Sequence, residues 1–341
     1  MTATPPSTPT LTEADERTTV RGPYFEELYV GQVFDRAPSV TLTEGLAAAH
    51  QAIVGNRLRL SASHHLAKAV LGYGPVAPSA LVWNVAIGQS SQVTQHVRAN
   101  LYYRGLVLRR LPLLGDTLST TTKIVGLKQN RVRPDRPATG LAALHITTVD
   151  QDGQCVLDFE RCAMIPMLDR AALTPHHDAL THAVADVSDE QLSRLTEHWR
   201  LPRSHGERAA AGQRFRIEGR DVVTSAPELA RLTMNIAAVH HDRVAAGGRR
   251  LVYGGHTIAL ALAQATRALP ELLAVVAWQS CDHLAPVHEE DLLSSELDVE
   301  AVHDLPQGGQ RLDLRSRVWS TELGSTEPTQ VLDWRFVAIS A

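Results

Sequence analysis

The chain has 341 residues, is 44% hydrophobic and carries a net charge of −4. That length suits two domains of ordinary size, and the mild negative charge excludes a broad basic face for nucleic acid or anionic membrane. No apolar run reaches the roughly 20 residues that a membrane-spanning helix needs.

The chain opens on a Thr- and Pro-rich stretch, residues 1–20, whose composition predicts a disordered tail. It contains no hydrophobic stretch resembling a secretory signal. A helical pattern over Glu44–Ile53 leads to a Gly/Pro turn, Gly72 to Pro78. Ser79 is a candidate N-cap for an apolar helix, Ala80–Ile87. Strand-like runs follow at Leu101–Leu108, Leu118–Val125, Leu141–Val149 and Cys155–Ile165, with Asp152-Gly153 as a hairpin between the last two. Residues 169–205 are polar and His-rich, and are expected to form a linker with one short helix near Asp189–Trp199.

Beyond the linker the order repeats. A helical stretch, Pro227–Ala238, precedes the Gly254-Gly255 turn and an Ala/Leu-rich helix from His256 to Leu269, apolar on nearly every side. Strand-like runs then occupy Leu273–Trp278, Leu292–Val302, Arg311–Trp319 and Val331–Ile339. Two short matches share one offset. Val156-Leu157-Asp158-Phe159 returns as Val331-Leu332-Asp333-Trp334, and Asp116-Thr117-Leu118-Ser119 as Asp291-Leu292-Leu293-Ser294, each 175 positions later. A domain-sized period means two copies of one domain rather than a solenoid. A helix apolar all round must be wrapped, and a curved antiparallel sheet does that. The expected fold is α+β, with two tandem domains of this kind at 21–168 and 206–341.

The adjacent pairs His64-His65, His176-His177 and His240-His241 lack metal-ligand spacing on a helix, and there is no His-Glu-x-x-His or Cys-x-x-Cys. No metal or cofactor is expected. Cys155, Cys162 and Cys281 make no disulfide framework, so a reducing, cytoplasmic setting is the default expectation.

Several short pieces resemble the MaoC-like hydratases. Tyr24 to Gln32 is similar to that family's opening, and Thr41-Leu42-Thr43-Glu44 to the entry of its first helix. Gly115-Asp116-Thr117-Leu118 and Ala285 to Asp291 resemble its Gly-Asp strand entry, Glu290 standing where Gly is usual. The resemblance covers about 21–168 and 206–341, and is closest to the double hot-dog acyl-CoA hydratases of actinobacterial type. It implies a double hot-dog fold and an acyl-CoA thioester substrate, hydrated or formed by dehydration. Since a double hot dog already forms the two-lobed unit that single hot dogs make by pairing, monomer and homodimer both stay open.

The family's chemistry lies in an Asp-x-Asn-Pro-x-His motif, which holds the attacking water, and in a backbone N–H at the start of the central helix. Hydration needs a base near the β-carbon and a preorganised donor for the enolate oxygen. The first copy offers Asn56-Arg57-Leu58-Arg59-Leu60-Ser61, with neither Asp nor His, and is expected to be catalytically silent, shaping the acyl pocket. The second offers Asn235-Ile236-Ala237-Ala238-Val239-His240. The resemblance therefore implies His240 as base, Asn235 as a water-orienting group in place of the acid, and Gly255 as the oxyanion amide. Gly254, Tyr253 and His256 flank it as substrate-binding candidates.

An amide cannot take a proton near neutral pH, whereas a lone histidine can. His241 and Asp242 stand next to the motif as substitutes for the missing acid, against a bland reading as solvated neighbours. Asp282-His283 on a strand would face opposite ways and make no dyad. The basic run from Arg131 through Arg133 to Arg136 is either a contact for CoA phosphates or a solvated hairpin tip. Two alternatives accompany the hydratase. One is a non-catalytic or weakly active acyl-thioester-binding protein, suggested by Asn235. The other is a hot-dog thioesterase, disfavoured because neither central helix begins with a carboxylate.

Overall fold

The structure is a computed structural model that describes residues 18–133, 135–180, 187–202 and 206–341. Most of the expected tail, residues 1–17, lies outside the described residues, as do 181–186 and 203–205 of the expected linker.

In chain order the first half contains two short strands, β1 (Val33–Phe34) and β2 (Val40–Thr41), then helices α1 (Glu44–Val54), α2 (Arg59–Ala62), α3 (His64–Leu71) and α4 (Ser79–Gln89). Four long strands follow: β3 (Ala99–Leu108), β4 (Thr117–Gln129), β5 (Thr139–Val149) and β6 (Cys155–Pro166). After α5 (Asp189–Thr196), the second half gives β7 (Arg214–Val222), α6 (Ala226–Leu232), α7 (Gly254–Ala268), β8 (Leu272–His283), β9 (Leu292–Asp304), β10 (Gln310–Thr321) and β11 (Pro328–Ser340).

The strands join into one sheet in the order β1-β4-β5-β6-β3-β8-β11-β10-β9-β7. Each half is antiparallel, and the halves meet edge to edge where β3 pairs with β8, Tyr103 opposite Cys281 and Leu106 opposite Trp278. This pairing covers two edges that would otherwise present unpaired N–H and C=O groups. The helices α4 and α7, starting at Ser79 and Gly254, repeat the 175-residue offset seen in the strands. Every residue of α4 is buried, as are twelve of the fifteen in α7. Such helices survive only inside a curved sheet, and the result is a double hot dog.

Three tryptophans lock the halves. Trp83 of α4 meets Trp278 of β8 at 4.9 Å between ring centroids, and Trp278 meets Trp334 of β11 at 5.5 Å. All three are fully buried. Each fully buried aromatic contributes about 1.5–3 kcal/mol by area, so this cluster binds the first half's helix to the second half's sheet.

Several local expectations need correction. Ser79 is the first residue of α4 rather than its cap, and Pro78 precedes it as the cap residue. The helix expected over Pro227–Ala238 stops at Leu232. Met234 is left-handed at φ 61°, and the Asn235 N–H reaches back to the Ala230 carbonyl. Strand β7 has little sequence signal because it is an edge strand with Phe215 and Ile217 inward and charges outward. The described parts of 169–205 lie against the body: Asp178 N donates to Leu127 O and Arg200 N to Val70 O.

Candidate active site

The backbone between α6 and α7 builds the candidate site, and the first half holds that backbone in place. Gly88 of α4 passes so close to the Thr233 carbonyl that an added Cβ would sit 1.7 Å from its oxygen. The Ile236 N–H donates to Ser91 Oγ at 2.9 Å, and the Ala238 N–H to the Gln95 carbonyl at 3.0 Å. Within the loop, Asn235 Oδ1 accepts the Ala237 N–H at 3.0 Å, an Asx turn. A 3₁₀ turn, Ala238–His240, then carries the histidine.

His240 Nδ1 lies 2.7 Å from the Leu251 carbonyl. A carbonyl only accepts, so Nδ1 bears the hydrogen and Nε2 keeps its lone pair. Burial pushes the imidazole down to about 4, although the bond to Leu251 opposes the shift. The ring is therefore neutral at physiological pH and able to accept a proton.

His240 lines a cavity of about 290 Å³ between the halves. Asn235, Tyr253, Gly254, Thr257 and His283 line it from the second half, and Asn100, Tyr103 and Arg161 from the first. Helix α7 points its N-terminus here. The amides of Gly254 and Gly255 fall in its first turn, where no preceding helical carbonyl accepts them, and the helix dipole favours negative charge at that end.

The structure sorts the expected residues unevenly. His240, Asn235, Tyr253 and Gly254 share the cavity lining. Gly255 does not line it and instead faces α4: an added Cβ would lie 2.2 Å from Asn84 Oδ1. His256 is also not on the cavity wall. Successive helix positions turn by about 100°, so Gly254 and Thr257 share the cavity face while His256 points away. Its two ring nitrogens are buried without hydrogen-bond partners, and burial lowers it to about 4. Tyr253 donates its hydroxyl to the Asn84 carbonyl at 2.9 Å, which anchors the start of α7 on α4.

The neighbours proposed as substitute acids have other work. His241 Nε2 donates to the Asn235 carbonyl at 2.6 Å, and Asp242 accepts the Val244 N–H at 2.7 Å. Asp282 and His283 do part company on β8: Asp282 pairs with Arg104 at 2.6 Å, while His283 lines the cavity. His283 Nε2 is buried without a partner beside Gly254, and burial lowers the ring to about 4.

Thr257, Tyr103 and Arg161 carry no signal in the sequence, and His283 enters there only as half of the Asp282-His283 pair. Tyr103, Arg161 and His283 lie in strands beside other polar residues, with no fixed spacing to the motif. Beside the cavity, and sharing Arg98 with it, runs a groove of about 530 Å³ that includes Arg131, Arg133 and Arg136.

No family model matches the chain. It is 28% identical to a beta-methylmalyl-CoA dehydratase of Chloroflexus aurantiacus, with 93% of this chain and 97% of the relative aligned. It is 30% identical to a mesaconyl-CoA hydratase of Cereibacter sphaeroides, covering 88% and 91%. Among solved structures, a conserved double hot-dog protein of Mycobacterium tuberculosis is 49% identical, with a TM-score of 0.85 over 94% of this chain and all of that one. A MaoC domain protein of Chloroflexus aurantiacus is 26% identical, with a TM-score of 0.82 over 95% and 99%.

Proposed function

The chain belongs to the MaoC-like family of double hot-dog CoA-thioester hydratases and dehydratases, and from that premise we propose that it adds water to an enoyl-CoA thioester, or removes it from the 3-hydroxyacyl-CoA, in the cavity under α7. One observation carries this reading: His240, its Nδ1 held by the Leu251 carbonyl, lines the same cavity as the first turn of a buried helix.

In hydration, Nε2 takes a proton from water as the oxygen bonds the β-carbon. The electron pair of the double bond moves onto the thioester oxygen as an enolate. The free amides of the first turn of α7, Gly254 on the cavity and Gly255 next to it, stabilise that oxygen. His283 Nε2 stands at the same end of the helix as a further donor. The proton on His240 is then delivered to the α-carbon, which closes the balance. Asn235 supplies its amide NH₂ to the water, since its oxygen is committed to Ala237.

The arginine groove beside the cavity fits the phosphates of CoA, because guanidinium forks match phosphate oxygens. The first half, lacking the motif residues at Asn56–Ser61, supplies pocket wall rather than catalysis. Free Cys155, Cys162 and Cys281 suit a reducing cytoplasm. No described helix is long and apolar enough to cross a membrane. A non-catalytic thioester-binding role is the second reading, favoured by Asn235 at the acid position.

The test is direct. The purified protein is mixed with enoyl-CoA esters and loss of the conjugated thioester absorbance is followed. Hydration by wild type but not by His240→Ala supports the reading. Absence of turnover across neutral and carboxylated esters rejects it.

A further inference from the structure

The cavity wall contains an arginine that no described carboxylate neutralises. Arg161 sits on β6 opposite Tyr103 and is 5% exposed. Its hydrogen bonds both come from Nη2, to the Ser90 carbonyl and Thr94 Oγ1, each at 3.0 Å. Nε is buried with no partner. Among the described residues no carboxylate pairs with it, and the cavity lining contains no Asp or Glu at all.

An unpaired buried cation is costly, and proteins normally neutralise it or use it. The two bonds it does make go to a neutral carbonyl and a hydroxyl, which satisfy hydrogens but not charge. What remains is a planar guanidinium with spare donors on the same small cavity as His240. Its charge also acts on the His240 ring.

We propose that Arg161 binds a carboxylate carried by the acyl group of the substrate, so that the preferred thioester is that of a short unsaturated dicarboxylic acid. The proposal rests on the hydratase reading for its chemistry, but not for the binding site itself. Three features support it independently of the relatives' names. The cavity is small, which suits a short acyl group. Its fixed charge is positive only, from Arg98 and Arg161. And the motif position that would add a negative charge next to such a substrate is Asn235, which removes like-charge repulsion from the site. The two relatives are named a beta-methylmalyl-CoA dehydratase and a mesaconyl-CoA hydratase.

Fumaryl-CoA and crotonyl-CoA differ only in carrying a carboxylate or a methyl on the β-carbon. Wild type is expected to favour fumaryl-CoA in kcat/KM by about 100-fold, the range seen when one partner of a buried charge pair is removed. Arg161→Gln is expected to erase that ratio, with the larger loss of kcat/KM falling on fumaryl-CoA. Binding separates this idea from the chemistry. By calorimetry, unreactive succinyl-CoA should bind wild type more tightly than butyryl-CoA, and Arg161→Gln should abolish the difference. Arg161→Lys keeps the charge without the fork, and should retain only part of it. If no ester is hydrated but the succinyl preference exists and depends on Arg161, the hydratase reading falls and the carboxylate site stands. Equal binding of the two esters by wild type, or variants that weaken both esters alike, overturns the proposal.

Discussion

Asn56 and Asn235 stand at matching places in the two halves, and each turns its amide oxygen onto the backbone N–H two residues ahead, Leu58 N at 3.3 Å and Ala237 N at 3.0 Å. The asparagine therefore belongs to the turn that aims the motif, whichever half carries it. Asn56 spends its NH₂ on Ser61 Oγ at 2.9 Å, at the position corresponding to His240. A carboxylate accepts the same N–H, so Asn235→Asp is expected to keep the turn and to melt within a few degrees of wild type. Its charge would favour the protonated imidazole of His240 and make it a stronger base. Hydration of crotonyl-CoA should rise about tenfold, while fumaryl-CoA should gain nothing or lose. Paired kcat/KM measurements check this, and no gain on the neutral ester would show that the acid is not the missing element.

His240→Ala removes the proposed proton acceptor and leaves the Tyr253 hydroxyl bond to the Asn84 carbonyl at the start of α7 in place. General bases contribute about 10²–10⁴-fold, so kcat should fall by that factor with KM little changed. The pH profile is a second readout. The ring is lowered to about 4, so the acid limb of kcat/KM should lie near pH 4 rather than 6.5. A limb near 6.5 would mean that another, more exposed group is the base.

The fold was open to sequence reasoning because its evidence is periodic. The strands show alternation and the repeat shows a constant offset, so β3 to β6 and β8 to β11 were each anticipated within a few residues. The site was less accessible. The motif gave His240 and Asn235, but their framework is non-local: Ser91 and Gln95 hold the loop from the other half. Arg161 is one arginine in a long strand, and only folding shows that no described carboxylate meets it. His256 follows Gly255 in sequence, but the helical turn carries its ring off the cavity, towards His50 of α1. The end of α6 is not legible in the sequence, since Thr233 and Met234 carry no Gly or Pro signal for the reversal that occurs there.

Buried neutral histidines make stability depend on pH. His50 is lowered to about 3 and His256 to about 4, both chiefly by burial. In the unfolded chain they titrate near 6.5. Below that value the unfolded state binds protons that the folded state refuses, so stability is full above about pH 6.5 and falls as the pH drops towards 4. A shift of this size amounts to roughly 3 kcal/mol for a group such as His256. Melting temperature should fall steeply between pH 6.5 and 4, and His256→Leu should flatten that fall. Denaturant titrations at pH 7 and 4.5 check it; equal slopes in the variant and wild type would count against the burial argument.

The glycine pair at the start of α7 separates stability from catalysis. At Gly255 an added methyl would meet Asn84 Oδ1 at 2.2 Å and the Tyr253 ring at 2.6 Å. Asn84 is itself fixed, because its Nδ2 bonds His50 Nε2 at 3.1 Å in the buried helix interface. Nothing there gives way easily, so Gly255→Ala should cost about 1–3 kcal/mol, as overpacking usually does. At Gly254 the methyl meets His283 Nε2 at 2.6 Å, the far end of a side chain. That ring can rotate aside, and alanine is the better helix former by about 1 kcal/mol. Gly254→Ala should therefore melt at or near the wild-type temperature. It would still push His283 off the end of the helix and fill the place where the enolate oxygen is proposed to sit, so kcat should drop at least about tenfold. Melting curves and kcat for both variants decide it: a Gly254→Ala protein that keeps full activity would remove this end of α7 from the reaction.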